Sequence, residues 1–201
     1  MGEWDRMMAG LPYDDGSKEM FDLRVKAKRL TRAYNATTDD QVPERLRILS
    51  ELFGSMGEDV WIEPDFRCEF GANIHMGNRV YVNFGCIILD CAPVTIGDDC
   101  LLGPNIGIYV ADHGLDPAER AAGMCISRPV TIGPRVWLGG DVKIRGGVEI
   151  GENSVVGMGS VVTKSIPAGV VAAGNPCRVI REITEADRCG YLEYLAERDA
   201  R

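Results

Sequence analysis

Two histidines occur among 201 residues, and one of them, His113, lies in the polar stretch "YVADHGLDPAER" at 109–120. A neutral imidazole can take a proton from a hydroxyl near neutral pH, which is typically worth ~10²–10⁴ in rate. A histidine idling in a solvated loop is the alternative at this point. His75, in "GANIHMG", falls at an outward slot and reads as structural or surface. Asn83 and Asp90 stand in "YVNFGCIILDC". Asn83 takes a slot where glycine otherwise recurs; it can orient an imidazole, bind a hydroxyl, or simply adopt the left-handed corner conformation that Asn tolerates. Lys164, Arg178 and Arg181 gather late, in "VVTKSIPAGVVAAGNPCRVIRE". Such a trio suits an anion such as a phosphate-rich cofactor, or is ordinary surface charge. No P-loop, G-x-G-x-x-G turn or G-x-S-x-G elbow is present. Seven cysteines without a C-x-x-C pair, beside two histidines, offer no structural zinc set. They read as free thiols of a reducing cytoplasm, mostly buried.

The element that must position these groups is a repeat of six. It runs Ile132-Gly133, Leu138-Gly139, Ile144, Ile150-Gly151, Val156-Gly157 and Val162, with Val136, Val142, Val148, Ser154, Ser160 and Ile166 four residues after each. The same rule holds earlier at Met76-Gly77, Ile96-Gly97 and Leu102-Gly103. A period of six is neither helical nor simply alternating. It fits a short strand plus a corner, three of which close a triangular coil of about eighteen residues. The glycine after the aliphatic residue is expected at a tight corner where a Cβ would cost energy. The fold class expected is mainly β, a parallel β-helix over residues 58–182. Two interruptions stand out. "LDCAPVTI" carries two extra residues, which reads as a widened corner. Between Tyr109 and Arg128 the repeat vanishes and then resumes in register, so 109–128 is expected to protrude.

The ends read as helical. An N-terminal segment, 1–57, has Met20, Leu23, Ala27, Leu30 and Tyr34 at helical spacing, with its arginines and lysines on a solvated face. Pro43 can open a second helix, with Leu46, Leu49 and Phe53 on one face. A C-terminal helix is expected over 183–201, with Thr184 as N-cap. The net charge of −8 argues against nucleic acid as a partner. No signal peptide or membrane-length apolar run is visible, so a cytoplasmic protein without membrane partners is expected.

Together these residues resemble the maltose/galactoside O-acetyltransferase family of hexapeptide-repeat, left-handed β-helix enzymes. The resemblance rests on "MAGLPYD", "RAYN", "ELFGSMG", "EPDFRCEFGANIHMGNRVYVNFGCIILD", "GSVVTKSIP" and "AAGNPCRVIR", and spans almost the whole chain. It implies transfer of an acetyl group from acetyl-CoA to a sugar hydroxyl, with no metal, by a homotrimer whose active sites lie between subunits. His113 matches the family's base, with Asn83 beside it. The acceptor positions carried over are Asp15 (or Asp14), Glu69, Tyr81, Asn83 and Asp90. Cys91 stands where the galactoside branch has a second aspartate. The CoA positions are Gly140, Met158, Thr163, Lys164, Arg178 and Arg181, and the amide of Gly140 is implied as oxyanion donor. Other readings are an acetyltransferase for serine or a xenobiotic alcohol, and a non-catalytic β-helical ligand-binding protein. A metal-dependent hydratase on this scaffold needs three histidines, and the chain has two.

Overall fold

From Ser55 onward the chain lays down strands of two to five residues that stack on three faces. A computed structural model describes residues 1–200. The first face carries, in stacking order, Trp61–Ile62, Tyr81–Val82, Leu101–Leu102, Trp137–Leu138, Val155–Val156, Val170–Ala173 and Arg178–Glu182. The second carries Arg67–Cys68, Ile87–Leu89, Gly107–Tyr109, Lys143–Arg145 and Val161–Val162. The third carries Ser55–Met56, Ile74–Met76, Val94–Ile96, Val130–Ile132 and Glu149–Ile150. All pair in parallel except the last strand of the first face, which folds back antiparallel on Val170–Ala173. This is the β-helix that the six-residue period predicts.

The repeated aliphatic residue points inward on every face. Ile62, Val82, Leu102, Leu138 and Val156 are all buried in one ladder, and Ile88, Ile108, Ile144 and Val162 in the next. Each such side chain contributes about 1.5–3 kcal/mol relative to exposure. The glycine that follows is required by stacking rather than by conformation. A Cβ on Gly97 would lie 2.6 Å from the Pro134 nitrogen of the next coil, and one on Gly139 2.6 Å from that of Met158. The left-handed turn comes two residues later, at Asp99, Arg135 and Asn153, with φ of 58°, 57° and 60°.

The corner between the second and third faces is the irregular one. Between equivalent inward residues it spans six residues from Ile144 to Ile150. It spans eight from Cys68 to Met76 and from Ile88 to Ile96. From Ile108 to Ile132 it swells to hold the whole 109–128 insert. The insert is not structureless. Ala111–His113 and Met124–Ser127 form an antiparallel hairpin around the short helix α4 (Pro117–Ala121). Asp116 caps that helix, accepting from the amides of Ala118 and Glu119 at 2.9 Å.

Three helices close the N-terminal end: α1 (Glu3–Met8), α2 (Lys18–Asn35) and α3 (Val42–Leu52). Ser17 caps α2, and Met20, Ala27, Leu30 and Tyr34 bury one side of it. Tyr34 donates to the Ile62 carbonyl at 2.5 Å, tying the helix to the first coil. Leu23 and Leu46, expected inside, are exposed; Ile48 takes the place of Leu46 in the core. At the C-terminus, Thr184 and Asp187 cap only a 3₁₀ turn, Glu185–Asp187. The helix proper, α5 (Tyr191–Asp199), starts after Gly190 and leaves Tyr191, Leu192 and Tyr194 exposed. Residue 201 of the expected segment lies outside the described residues. No helix is long and apolar enough to cross a membrane among the described residues.

Candidate active site

The insert places His113 at the end of its first hairpin strand, opposite Cys125. Its Nδ1 faces the Met124 carbonyl at 3.4 Å and the Cys125 sulfur at 3.3 Å. A carbonyl there selects the tautomer that carries hydrogen on Nδ1, which leaves the Nε2 lone pair free on an exposed ring. Asp112, the preceding residue, anchors the hairpin to the coil through Arg145 at 2.6 Å and Arg128 at 3.6 Å. A two-residue strand, Tyr13–Asp14, adds to the other edge of the hairpin, with Tyr13 opposite Cys125. The Tyr13 hydroxyl lies 3.0 Å from Ser127 Oγ. The N-terminal segment and the insert are therefore one small sheet.

That sheet delivers Asp15 to a cluster the sequence did not reveal. Arg24 of α2, only 14% exposed in its side chain, donates to both Asp15 and Glu69. Its Nη1 also donates to the Asp15 carbonyl at 2.8 Å, and its guanidinium stacks over Phe70, 5.4 Å from the ring centroid. Burial works against the charge of Arg24, and the two carboxylates outweigh it, so its pKa stays above the usual value. The expectation of a wholly solvated basic face on α2 is thus corrected at this residue. Arg24 sits on the inward stripe, four residues after Met20 and three before Ala27, and that spacing was the available signal. Asp14 points elsewhere: it is exposed and accepts from its neighbour Gly16 at 2.9 Å.

Asp90 does not line the site. It is fully buried, and its carboxylate accepts from the amides of Glu69 (3.0 Å), Phe70 (2.8 Å) and Asn73 (3.2 Å). Burial raises its pKa against the pull of those amides. The acceptor contact expected of Asp90 is therefore corrected: it staples the widened corner and holds the backbone of Glu69. Cys91, beside it, is buried and pushed up to about 12, by burial first and then by Glu69. Burial, then Asp15, also raises Cys125. Both thiols stay protonated at neutral pH. Six of the seven cysteines are buried, and none is in a disulfide.

Tyr81 and Asn83 stand at another corner, where the first face turns into the second. The Tyr81 hydroxyl faces Glu63 Oε1 at 3.3 Å, and Asn83 Oδ1 accepts from the Phe84 amide at 2.8 Å. Asn83 is not left-handed; Gly85, at φ 74°, makes that turn. Gly140 and Met158 follow at the same corner in later coils, where the Gly159 amide donates to the Gly140 carbonyl at 2.9 Å. Met158 is 80% exposed. Thr163 and Lys164 directly follow the last strand of the second face, exposed. Arg178 is exposed on the folded-back strand, but Arg181 is committed to Asp187, at 2.6 Å. Arg178 Nη1 donates to the Cys177 carbonyl at 2.8 Å, so of the three bases expected as an anion cluster two form no ion pair, Lys164 and Arg178. His75 bonds Ser55 Oγ at 2.9 Å on the third face, away from these groups.

Residues 6–57 match the family described as maltose acetyltransferase hexapeptide capping motif, and residues 129–164 that described as bacterial transferase hexapeptide (six repeats). The galactoside O-acetyltransferase of Escherichia coli K12 is 42% identical over 94% of this chain and 93% of its own length. A maltose O-acetyltransferase from Clostridium difficile 630 superposes with a TM-score of 0.90 at 44% identity, over 92% of this chain and 99% of that one. A galactoside acetyltransferase in complex with coenzyme A gives 0.89 at 42% identity, over 93% and 94%. The chain belongs to the maltose and galactoside O-acetyltransferase family, acyltransferases that use acetyl-CoA on a hexapeptide-repeat β-helix.

Proposed function

We propose that the protein acetylates a hydroxyl of a sugar by direct transfer from acetyl-CoA, with His113 as general base. The observation that carries this reading is the single-sided anchoring of His113. Nδ1 is turned to the Met124 carbonyl and Nε2 is left for a substrate. Asp15 and Glu69, organised by Arg24, supply carboxylate oxygens suited to sugar hydroxyls on the same side of the molecule.

Nε2 removes the hydroxyl proton as the oxygen attacks the thioester carbonyl. The tetrahedral oxyanion accepts from the Gly140 amide, whose residue brings no side chain to interfere. Collapse breaks the carbon–sulfur bond, and the imidazolium returns the proton to the departing CoA thiolate. Thr163, Lys164 and Arg178 bind the CoA, and Met158 packs against it; Arg181 joins them if it exchanges Asp187 for phosphate. Asn83, Tyr81 and Gly140 lie at a different corner from His113. We therefore read the site as shared between copies in a homotrimer, one copy giving His113 and its neighbour the corner of Asn83.

Release of CoA thiol across sugars, serine and amphenicol alcohols measures the reaction. His113→Ala should lower kcat by about 10²–10⁴ with melting nearly unchanged. Activity within tenfold of wild type rejects the base. Co-expressing His113→Ala with Asn83→Ala chains should restore part of the lost turnover. No recovery in mixed oligomers rejects the shared site.

A further inference from the structure

The seam between α2 and the first strand of the second face continues past the Asp15–Arg24–Glu69 cluster and changes sign. Lys28, Thr31, Arg32 and Asn35 of α2 face Arg67 and Cys68 across a cleft of about 320 Å³. Arg24, Lys28, Arg32 and Asn35 lie on one side of the helix at spacings of four, four and three, so they form a row. Arg67, in the strand, and Glu69, just after it, lie two apart in sequence, on either side of the inward Cys68.

The uncharged groups of this cleft are already satisfied. Thr31 Oγ1 donates to the Ala27 carbonyl at 2.9 Å. The Asn35 amide exchanges two hydrogen bonds with the Phe66 backbone, at 2.9 and 3.0 Å. The cations are not. Among the described residues, Lys28, Arg32 and Arg67 form no ion pair and no side-chain hydrogen bond, whereas most other arginines do (Arg24, Arg45, Arg47, Arg79, Arg135, Arg145). In a chain with 30 acids and 22 bases, three unneutralised cations around one cleft leave a local positive field. This cluster is not the late basic one. Arg67 stands on the first strand of its face and Thr163–Lys164 follow the last, four strand spacings or about 19 Å away.

We propose that this cleft is an anion subsite of the acceptor site, so that the acceptor is a saccharide bearing a phosphate or carboxylate. This rests on the sugar-acetylation reading above. An eight-residue helical rise separates Arg24 from Arg32, about 12 Å, which is the reach of a disaccharide rather than a monosaccharide. Two guanidinium forks and an ammonium offer a phosphate or carboxylate charge-assisted hydrogen bonds on three sides.

The test is calorimetric binding of maltose, maltose 1-phosphate and maltose 6′-phosphate to the full-length wild type and to the Arg32→Gln/Arg67→Gln variant. Both changes are at exposed positions outside the catalytic machinery. At least one phosphate isomer should bind tenfold or more tightly than maltose, and the double substitution should erase that advantage while leaving maltose unchanged. Equal affinity of neutral and phosphorylated sugars overturns the proposal, as does an advantage that survives in the variant. If the advantage is present and is lost in the variant, but no sugar is acetylated, the subsite stands and the acetylation reading falls.

Discussion

The second-to-third corner and the other two corners of the same triangular coil differ in what their residues are for. At the regular corners a glycine and a left-handed Asp, Arg or Asn repeat almost without variation, as at Gly97 and Asp99 or Gly133 and Arg135. Their side chains pair with the coil above: Arg79 with Asp99 at 2.6 Å, Arg135 with Glu152 at 2.6 Å. Such exposed pairs contribute little each. At the irregular corner, two extra residues per coil open room for a buried acid, and a longer insertion extrudes the hairpin of His113. The comparison teaches that a stacked coil acquires a cleft by lengthening one corner in consecutive coils. The enlarged corner is stapled by a buried carboxylate, where the regular corners use neutral buried hydroxyls, Ser154 and Ser160, that accept from the amides of Val170 and Gly174.

The sharpest way to break this comparison is to remove a staple and a coil residue in parallel. Asp90→Ala leaves the amides of Phe70 and Asn73 without their acceptor, while the Glu69 amide keeps the Ile88 carbonyl at 3.2 Å. Each orphaned buried donor costs ~1–3 kcal/mol, so unfolding in urea should reveal a loss of about 2–6 kcal/mol for the two. Leu138→Ala, at a fully buried coil position, should cost roughly 2–5 kcal/mol by truncation and cavity formation. The two variants part in catalysis. Per folded molecule, Leu138→Ala should keep the wild-type acceptor KM, whereas Asp90→Ala should raise it because the Phe70 and Asn73 amides that fix the corner beside Glu69 are released. Equal acceptor KM in both variants would mean that the widened corner is only scaffold.

A middle-sized effect is expected at Arg24. Arg24→Met leaves Asp15 and Glu69 unpaired and mutually repelling, and acceptor KM should rise about 10–100-fold with kcat much less affected. Arg24→Lys should recover little, since one ammonium cannot replace a fork shared by two carboxylates. Unchanged KM in Arg24→Met would separate this cluster from the acceptor site.

These outcomes bear on what the sequence could disclose. The coil was legible because its rule is local: one inward aliphatic residue every six, as at Ile132, Leu138, Ile144 and Ile150, fixes register with no knowledge of partners. The insert was legible as a gap in that rule, and His113 as its one histidine. Arg24 was not, because its role depends on Glu69, 45 residues away, and in a run of bases it looks like its solvated neighbours Lys26, Lys28 and Arg29. Asp90 and Glu69 were indistinguishable as acids near one corner. Which of them turns inward depends on the two extra residues and the amides they expose. The C-terminal helix was legible in its apolar spacing, but that Leu192 is 73% exposed was not, since periodicity reports amphipathicity and not what covers it.

The smallest effect should come from the thiol behind the histidine. Cys125 touches Nδ1 of His113 at 3.3 Å, but the Met124 carbonyl shares that proton and remains when the sulfur is removed. Cys125→Ala should therefore lower kcat only about threefold, within the range of one weak hydrogen bond, and leave acceptor KM unchanged. Cys125→Ser should restore most of the loss by returning a polar atom to the ring. A loss in Cys125→Ala that serine fails to rescue would assign the residue to packing under Tyr13. In that case the hairpin orients its base through the backbone alone, unlike the regular corners, where the Ser154 and Ser160 side chains hold main-chain amides.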